Sequence, residues 1–490
     1  MNEYKAFARG VGLVGLVSLL SQFSSFISLP ILTKTLPVDE YGTWALVIAS
    51  ISFIPRITMM GLPASMMRFL AASKDEKEIR KGFYSVTFYV LFSATTTAIL
   101  ILLFSSYLAW RLFNGEVTAV RLMAVIILIE SMNAVFLSYF RTRQEMKRYS
   151  ILLFIKAYLN VGMIAYFVLM GYGINGAVIG MLTSSSIIAG GGFILIVHEI
   201  GFSFKDRGNI IEYLRFGLPL VPSSLSNWIV NSSDRYLIGI IMGTAFVGYY
   251  SPAYSTGMLI VSILIGPVSI MLLPALSKHY DEKNTKAVTN ILHYSTKYFL
   301  GLAIPAAVGV SLLSRQLLLI LATKHIALEG YPIVPLVAAS GISLGLYTIL
   351  SKPISLRKKT KILGIIWAIA AGLNVGINLI LIPEIGILGA AIATLVAYTF
   401  ALASVSYFSL RFIPFKIDFV FLVKSIIASA VMAIPLIKIA VSGLVQTIEI
   451  ATLSFLVYTS LMFLMKGFGR EEITFFKELL RSSIGSRRSS

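Results

Sequence analysis

No cysteine occurs among the 490 residues, which excludes disulfides, thiolate metal sites and cysteine nucleophiles. Charge is sparse. Asp, Glu, Lys and Arg make up 13% of the chain, about half of the ~25% usual in soluble domains. Acid is sparser than base, with 22 Asp and Glu against 41 Lys and Arg. The four histidines, His198, His279, His293 and His325, are scattered and form no ligand set. There is no phosphate loop, no metal motif, no Asp-x-Asp-like catalytic loop and no nucleophile constellation. These absences argue against an enzyme, and no cofactor is expected.

What fills the chain instead is apolar length. Hydrophobic residues make up 57% and the mean hydropathy is +0.85. Continuous runs of this kind satisfy their backbone in lipid only as helices, so the expected fold class is an all-α polytopic membrane protein. At ~20 residues per crossing there is room for about fourteen transmembrane helices. The net charge of +19 would suggest nucleic acid in a soluble protein. Here Lys- and Arg-rich loops on one side of a membrane explain it, and no nucleic-acid partner is expected. The run Phe7–Leu32 is too long for the apolar core of a cleaved signal and has no Ala-x-Ala-like end, so it reads as a retained first span.

A second run, Tyr41–Phe69, follows the hinge Thr33–Gly42 and carries Pro55, Arg56, Gly61 and Pro63. Further spans are expected near 83–103, 119–139, 151–170, 175–197, 213–240, 247–273, 291–313, 331–350, 362–382, 385–410, 419–440 and 448–465. Alternate loops hold Lys74/Arg80, Arg141/Arg148, Lys205/Arg207, Lys278/Lys283, Lys352/Lys361 and Arg411/Lys416, whereas the turns after Met170, Ile240 and Ile382 hold no Lys or Arg. The asymmetry places both termini on the cytoplasmic side of the cell membrane. In the tail, Ile473, Phe476, Leu479 and Leu480 share one helical face beside Lys477 and Arg481, the pattern of an interfacial helix.

The chain also repeats itself. Gly42 in TKTLPVDEYGTWA matches Gly248 in GIIMGTAFVGYYSPA, and Gly176 in GYGINGAVIG matches Gly389 in PEIGILGAAI. The two offsets, 206 and 213 residues, nearly agree and suggest a duplicated unit of about six spans. An even number of spans makes the repeats parallel, related by an axis along the membrane normal. The expected domains are a six-helix lobe at 1–204, a second at 205–416, two added helices at 417–466, and a cytoplasmic helix and tail at 467–490.

This arrangement resembles the polysaccharide-flippase branch of the multidrug/oligosaccharidyl-lipid/polysaccharide exporter superfamily. The likeness is carried by Phe26–Leu36 (FISLPILTKTL) with Glu40-Tyr41-Gly42, Gly61-Leu62 and Arg68. It continues in Asp234–Gly239 (DRYLIG), Gly243, Gly248-Tyr249-Tyr250 and Gly386–Ala391 (GILGAA). The resemblance implies two six-helix lobes in a V, with the first, second, seventh and eighth spans lining a central cavity. It also implies that an isoprenoid phosphate- or pyrophosphate-linked oligosaccharide is flipped across the cytoplasmic membrane by alternating access, for polysaccharide or glycoprotein synthesis. A Na+ or H+ gradient would supply the energy, and membrane lipids and a glycan polymerase or ligase would be partners. The alternative within the superfamily is a cation-coupled multidrug exporter. Such exporters usually carry an acid in the first span, and Gly10–Leu32 has none.

An arginine mid-span costs about 2.5–3.5 kcal/mol on insertion scales, so Arg56 implies a polar interior for it to face. It is the first candidate for a phosphate contact, since a guanidinium fork pairs bidentately with phosphate oxygens. The other reading pairs it with carbonyls freed by Pro55 or Pro63. Arg235 is a second candidate, or the Asp234-Arg235 pair simply neutralises itself. Arg68 is a cavity candidate or a snorkelling cation. Glu130, midway between Arg121 and Arg141, is either an ion-coupling carboxylate or the partner of Lys156. Snorkelling is the expectation for Lys156, Lys297 and Lys424, and Asn374 and Asn378 read as interhelical glue.

Overall fold

The computed structural model describes residues 2–73, 75–203, 210–439, 443–469 and 472. Among the described residues all regular structure is helical. Helix α1 (Asn2–Thr35) leads into α2 (Val38–Thr58) and α3 (Leu62–Leu70), the two limbs of the second expected span, bent by 53°. The break has a local cause. Met60 and Gly61 take φ values of 49° and 71°, and Pro63 follows in the first turn of α3, where its missing N–H has no helical partner to lose. Then come α4 (Glu76–Leu103), α5 (Ser105–Leu112), α6 (Val117–Thr142), α7 (Met146–Phe167) and α8 (Gly173–Ile200). The chain reverses between α7 and α8 at the expected Gly171-Tyr172-Gly173 turn, with φ of 86° at Gly171 and 55° at Gly173.

The second half holds α9 (Ile210–Gly217), α10 (Val221–Ile241), α11 (Thr244–Asp281), α12 (Thr285–Leu312), α13 (Ser314–Leu321) and α14 (Lys324–Gly330). It continues with α15 (Val334–Leu350), α16 (Lys352–Leu356), α17 (Thr360–Ile385) and α18 (Ile387–Phe412), and α19 (Phe419–Lys438) and α20 (Leu444–Leu464) follow. The expected seventh span is not continuous from 213. A 3-10 turn at Leu218–Leu220 separates α9 from α10, where Pro219 and Pro222 remove two N–H donors. The eighth is longer than expected: α11 has 38 residues, about 57 Å at 1.5 Å per residue.

Eleven segments are long and apolar enough to cross a membrane, or twelve with the bent α2–α3 pair. One of the eleven, Met146–Ile200, contains both α7 and α8. Helix α10 has membrane length but is too polar to count, carrying Asn227, Asn231, Asp234 and Arg235. About fourteen crossings are expected; among the described residues the apolar, membrane-length segments number eleven to twelve.

The packing shows the duplication directly. In the first half α1 packs on α7, α7 on α8, α8 on α6, and α6 on α4 and α2. In the second half α10 packs on α17, α17 on α18, α18 on α15, and α15 on α12 and α11. The halves meet mainly where α2 lies against α11, flanked by α1 on α11 and α10 on α2. Glycine makes this approach possible. A Cβ on Gly42 would sit 1.8 Å from the Thr244 carbonyl oxygen, and one on Gly248 would sit 2.2 Å from that of Val38. The two residues matched by the repeat thus face each other across the seam.

Outside the repeat, α19 packs on α12 and α20 on α19. Tyr458 of α20 donates to the Gly301 carbonyl of α12 at 2.6 Å. Lys297 does not snorkel. Its side chain is 8% exposed and its ammonium pairs with Glu472 at 2.9 Å and Asp418 at 3.6 Å, because the segment after α20 folds back over it. Lys424 donates to the Lys466 carbonyl at 3.1 Å. The helix expected over 470–480 lies outside the described residues, apart from Glu472.

Candidate functional site

At the seam between halves, α10 brings polar and charged side chains against the largely apolar helix α2. On α10, Ser224, Trp228, Ser232 and Arg235 recur at spacings of three and four, which puts them on one helical face. That face meets α2. The Trp228 indole N–H donates to Ser52 Oγ at 2.9 Å, and the Tyr236 hydroxyl and Ser50 Oγ share a hydrogen bond of 2.5 Å. The Phe53 ring lies 4.3 Å from that of Trp228, centroid to centroid.

Arg56 is half-buried in the last turn of α2. Its Nε donates to the Ser52 carbonyl at 2.9 Å and its Nη1 reaches across the seam to Ser224 Oγ at 3.0 Å. The carbonyl it meets belongs to its own helical turn, so Arg56 combines a local backbone contact with a bridge between halves.

Arg235 and Asp234 sit together deeper in α10. Asp234 is fully buried and accepts from the Tyr250 hydroxyl and from the Arg235 N–H. The Arg235 guanidinium lies 3.5 Å from Asp234 Oδ1, donates to the Asn231 carbonyl at 3.0 Å and stands 4.8 Å over the Tyr254 ring. The pair is therefore close enough to offset its own charge. Arg235 also lines a chamber of about 190 Å³ between α2, α10 and α11, here the polar chamber, with Ser52, Ser232, Ser251 and Ser255 on its polar side and Trp44, Ala45, Ile48 and Ala49 on its apolar side. Because Arg235 lines this space beside four serines, an anion there would meet a guanidinium and hydroxyls.

The remaining candidates stand elsewhere. Arg68 is exposed in the last turn of α3, beyond the bend. It does not line the chamber beside Arg235. Glu130 and Lys156 meet inside the first half at 2.5 Å, with Ser185 Oγ donating to Glu130 at 2.6 Å. Lys156 thus has a partner and does not need to snorkel. Asn374 and Asn378 hydrogen-bond to each other at 3.2 Å, and Ser233 of α10 donates to Asn374 at 3.3 Å, a contact between helices as expected. No group of three or more His, Cys, Asp or Glu able to hold a metal occurs among the described residues.

Ser52, Ser224 and Trp228 escaped the reading of the sequence. The signal was present in the polar density of α10, but nothing in the chain said which face of that helix meets α2.

The class is that of an all-helical, multi-pass membrane protein. A solved structure of the lipid II flippase MurJ in an inward closed conformation is similar, with a TM-score of 0.76 at 17% identity, covering 94% of this chain and 98% of that one. An inward-facing multidrug resistance MATE transporter matches with a TM-score of 0.68 at 16% identity, over 81% of this chain and 97% of that one. At such identities the likeness is one of fold. Residues 31–326 match the family model described as polysaccharide biosynthesis protein, and the chain belongs to that family. Among curated relatives, the probable low-salt glycan biosynthesis flippase Agl15 of Haloferax volcanii is 23% identical over 57% of this chain. The succinoglycan biosynthesis transport protein ExoT of Rhizobium meliloti is 21% identical over 69%. The chain spans 58% and 66% of the length of these two relatives.

Proposed function

We propose that this protein flips an isoprenoid phosphate- or pyrophosphate-linked oligosaccharide across the cytoplasmic membrane. The observation that carries the reading is the polar chamber on the seam between halves, lined by the Arg235 guanidinium and four serines in a chain of the polysaccharide biosynthesis family. Moving a phosphate and glycan through hydrocarbon unaided is prohibitive, because each polar group loses its hydration. A chamber with a guanidinium returns part of that loss through charge-assisted hydrogen bonds. Arg235 is the primary phosphate contact. Arg56 holds the seam through Ser224 and is released to the substrate as the halves separate.

In this reading residues 1–204 and 205–416 are the two moving lobes. Both termini are cytoplasmic, a Na+ or H+ gradient drives the cycle, and a glycan polymerase or ligase takes the product. The names of Agl15 and ExoT, a glycan biosynthesis flippase and a succinoglycan transport protein, support the substrate class.

The test is translocation of a fluorescent polyprenyl-pyrophosphate oligosaccharide in proteoliposomes. Wild type should move it, and Arg235→Ala should slow movement at least tenfold per folded molecule, with stability also falling because the buried Asp234 loses its partner. Failure of wild type across several glycans and imposed Na+ and H+ gradients, with export of cationic drugs instead, would replace this reading by that of a multidrug exporter.

A further inference from the structure

A second chamber lies across the α2–α10 contact from the first, and its lining is almost wholly apolar. Its volume is about 360 Å³ and it sits between α2, α4, α5 and α6 of the first half and α10 and α17 of the second. Consecutive residues divide between the two spaces: Ser52 lines the polar chamber and Phe53 the apolar one, Ser232 the polar and Ser233 the apolar, Arg235 the polar and Tyr236 the apolar. The wall between them is the α2–α10 contact, closed by the Trp228–Ser52 hydrogen bond and the Phe53–Trp228 ring contact.

The apolar chamber offers a ligand almost nothing to hydrogen-bond. Its few polar groups already have protein partners: Ser50 with Tyr236, Trp228 with Ser52 and Ser233 with Asn374. An open pocket with so apolar a lining favours an apolar guest over water. At a methylene size close to the ~30 Å³ share of a water, the space holds about a dozen carbons, or two to three isoprene units.

We propose that this chamber receives the phosphate-proximal isoprene units of a polyprenyl phosphate whose head group occupies the polar chamber. The Trp228–Ser52 partition is the element that opens between them. The inference rests on the function proposed above and adds a place for the tail. One chamber beside one guanidinium suits a carrier with a single chain, whereas a phospholipid brings two. Because α2 and α10 belong to different halves, separation of the halves opens the wall and joins the two spaces into one amphipathic site.

The experiment uses the full chain in nanodiscs with geranylgeranyl phosphate carrying a diazirine in its second isoprene unit, with adducts mapped by mass spectrometry. Expected adducts fall on Leu108, Leu112 and Leu237, and unlabelled polyprenyl phosphate competes for them. Val375→Trp, and independently Met123→Trp, fill the chamber and should lower the yield at least tenfold in protein that elutes as a folded species. Adducts confined to α19 and α20, or yields unchanged in both filled variants, would overturn the proposal. Equal labelling of the same residues by a diazirine-acyl phosphatidylglycerol would assign the chamber to membrane phospholipid and also overturn it. The readout needs no transport. A wild type that flips glycans without chamber adducts refutes the tail site alone, and specific adducts without flipping keep the tail site while removing the function.

Discussion

Replacing Gly42 by alanine should force apart the two halves of the protein where α2 crosses α11. The added Cβ would lie 1.8 Å from the Thr244 carbonyl oxygen. A tolerable C···O approach is about 3.3 Å, so the helices must separate locally by roughly 1.5 Å. Neither neighbour can yield alone, since the obstacle is backbone and not the end of a flexible side chain. Overpacking of this kind costs about 1–3 kcal/mol, occasionally more. Gly248→Ala meets the Val38 carbonyl at 2.2 Å and should act in the same direction with a smaller displacement.

The lack of native cysteine makes the assay direct. Spin labels at Arg111→Cys and Lys324→Cys, both exposed and on opposite halves, report the spacing by pulsed electron resonance. In Gly42→Ala the distance distribution should move outward or broaden, and Tm should fall. An unchanged distribution together with an unchanged Tm would refute the claim that this contact sets how closely the halves approach.

Trp228→Phe removes the indole donor to Ser52 while keeping an aromatic ring. It should cost about 1 kcal/mol and raise labelling of the polar chamber by the isoprenyl probe severalfold, read in the same nanodisc experiment. Glu130→Gln removes the charge partner of Lys156 and should cost about 1.5–3 kcal/mol, read as a lower Tm. Ion dependence of transport should survive this change, and its loss with Tm intact would make Glu130 the coupling carboxylate. Lys297→Met strands Glu472 and the half-exposed Asp418 and should cost about 3 kcal/mol, the low end for a buried pair losing one partner, with faster hydrogen exchange over 466–469. Burial alone would raise the Glu472 carboxyl, but the Gly469 N–H, Lys297 and Tyr298 outweigh it and hold it below its ordinary value. A depressed folded pKa gives stability that is full above the unfolded value, ~4.3 for Glu, and is lost as pH falls through the folded value. The Tm gap between wild type and Glu472→Gln should therefore be present at pH 7 and close in the acid range.

Much of the architecture was legible because it rests on local rules. Apolar runs of membrane length must be helical, so the all-helical, multi-pass architecture followed from composition and spacing. The Gly42–Gly248 and Gly176–Gly389 matches marked the duplication because each glycine answers a constraint that recurs in both copies. Gly42 and Gly248 permit close backbone approach across the seam. Gly176 and Gly389 lie beside main-chain carbonyls of the preceding helix that a Cβ would strike, at 2.8 Å from Phe167 and 2.5 Å from Leu381. Breaks inside runs were harder to read. Pro55 and Pro63 flank the bend of the second span, but the bend falls between them at Met60–Gly61, where the backbone takes positive φ.

The site was legible only in part. Arg56, Asp234 and Arg235 stood out because charge inside a span is costly wherever it occurs, a property that belongs to the residue and its depth. Their partners did not stand out. Ser52, Ser224 and Trp228 are ordinary residues in a sequence, and they become a wall between a polar and an apolar chamber only when α2 and α10 are laid side by side. Likewise Lys297 looked like a snorkelling lysine until a segment 175 residues later returned to cover it. The sequence by itself determined the helices and their repetition, because hydration and backbone hydrogen bonding act on each stretch separately. Tertiary structure alone decided which side chains share a space, because that depends on helix rotation and approach, set by packing between segments hundreds of residues apart.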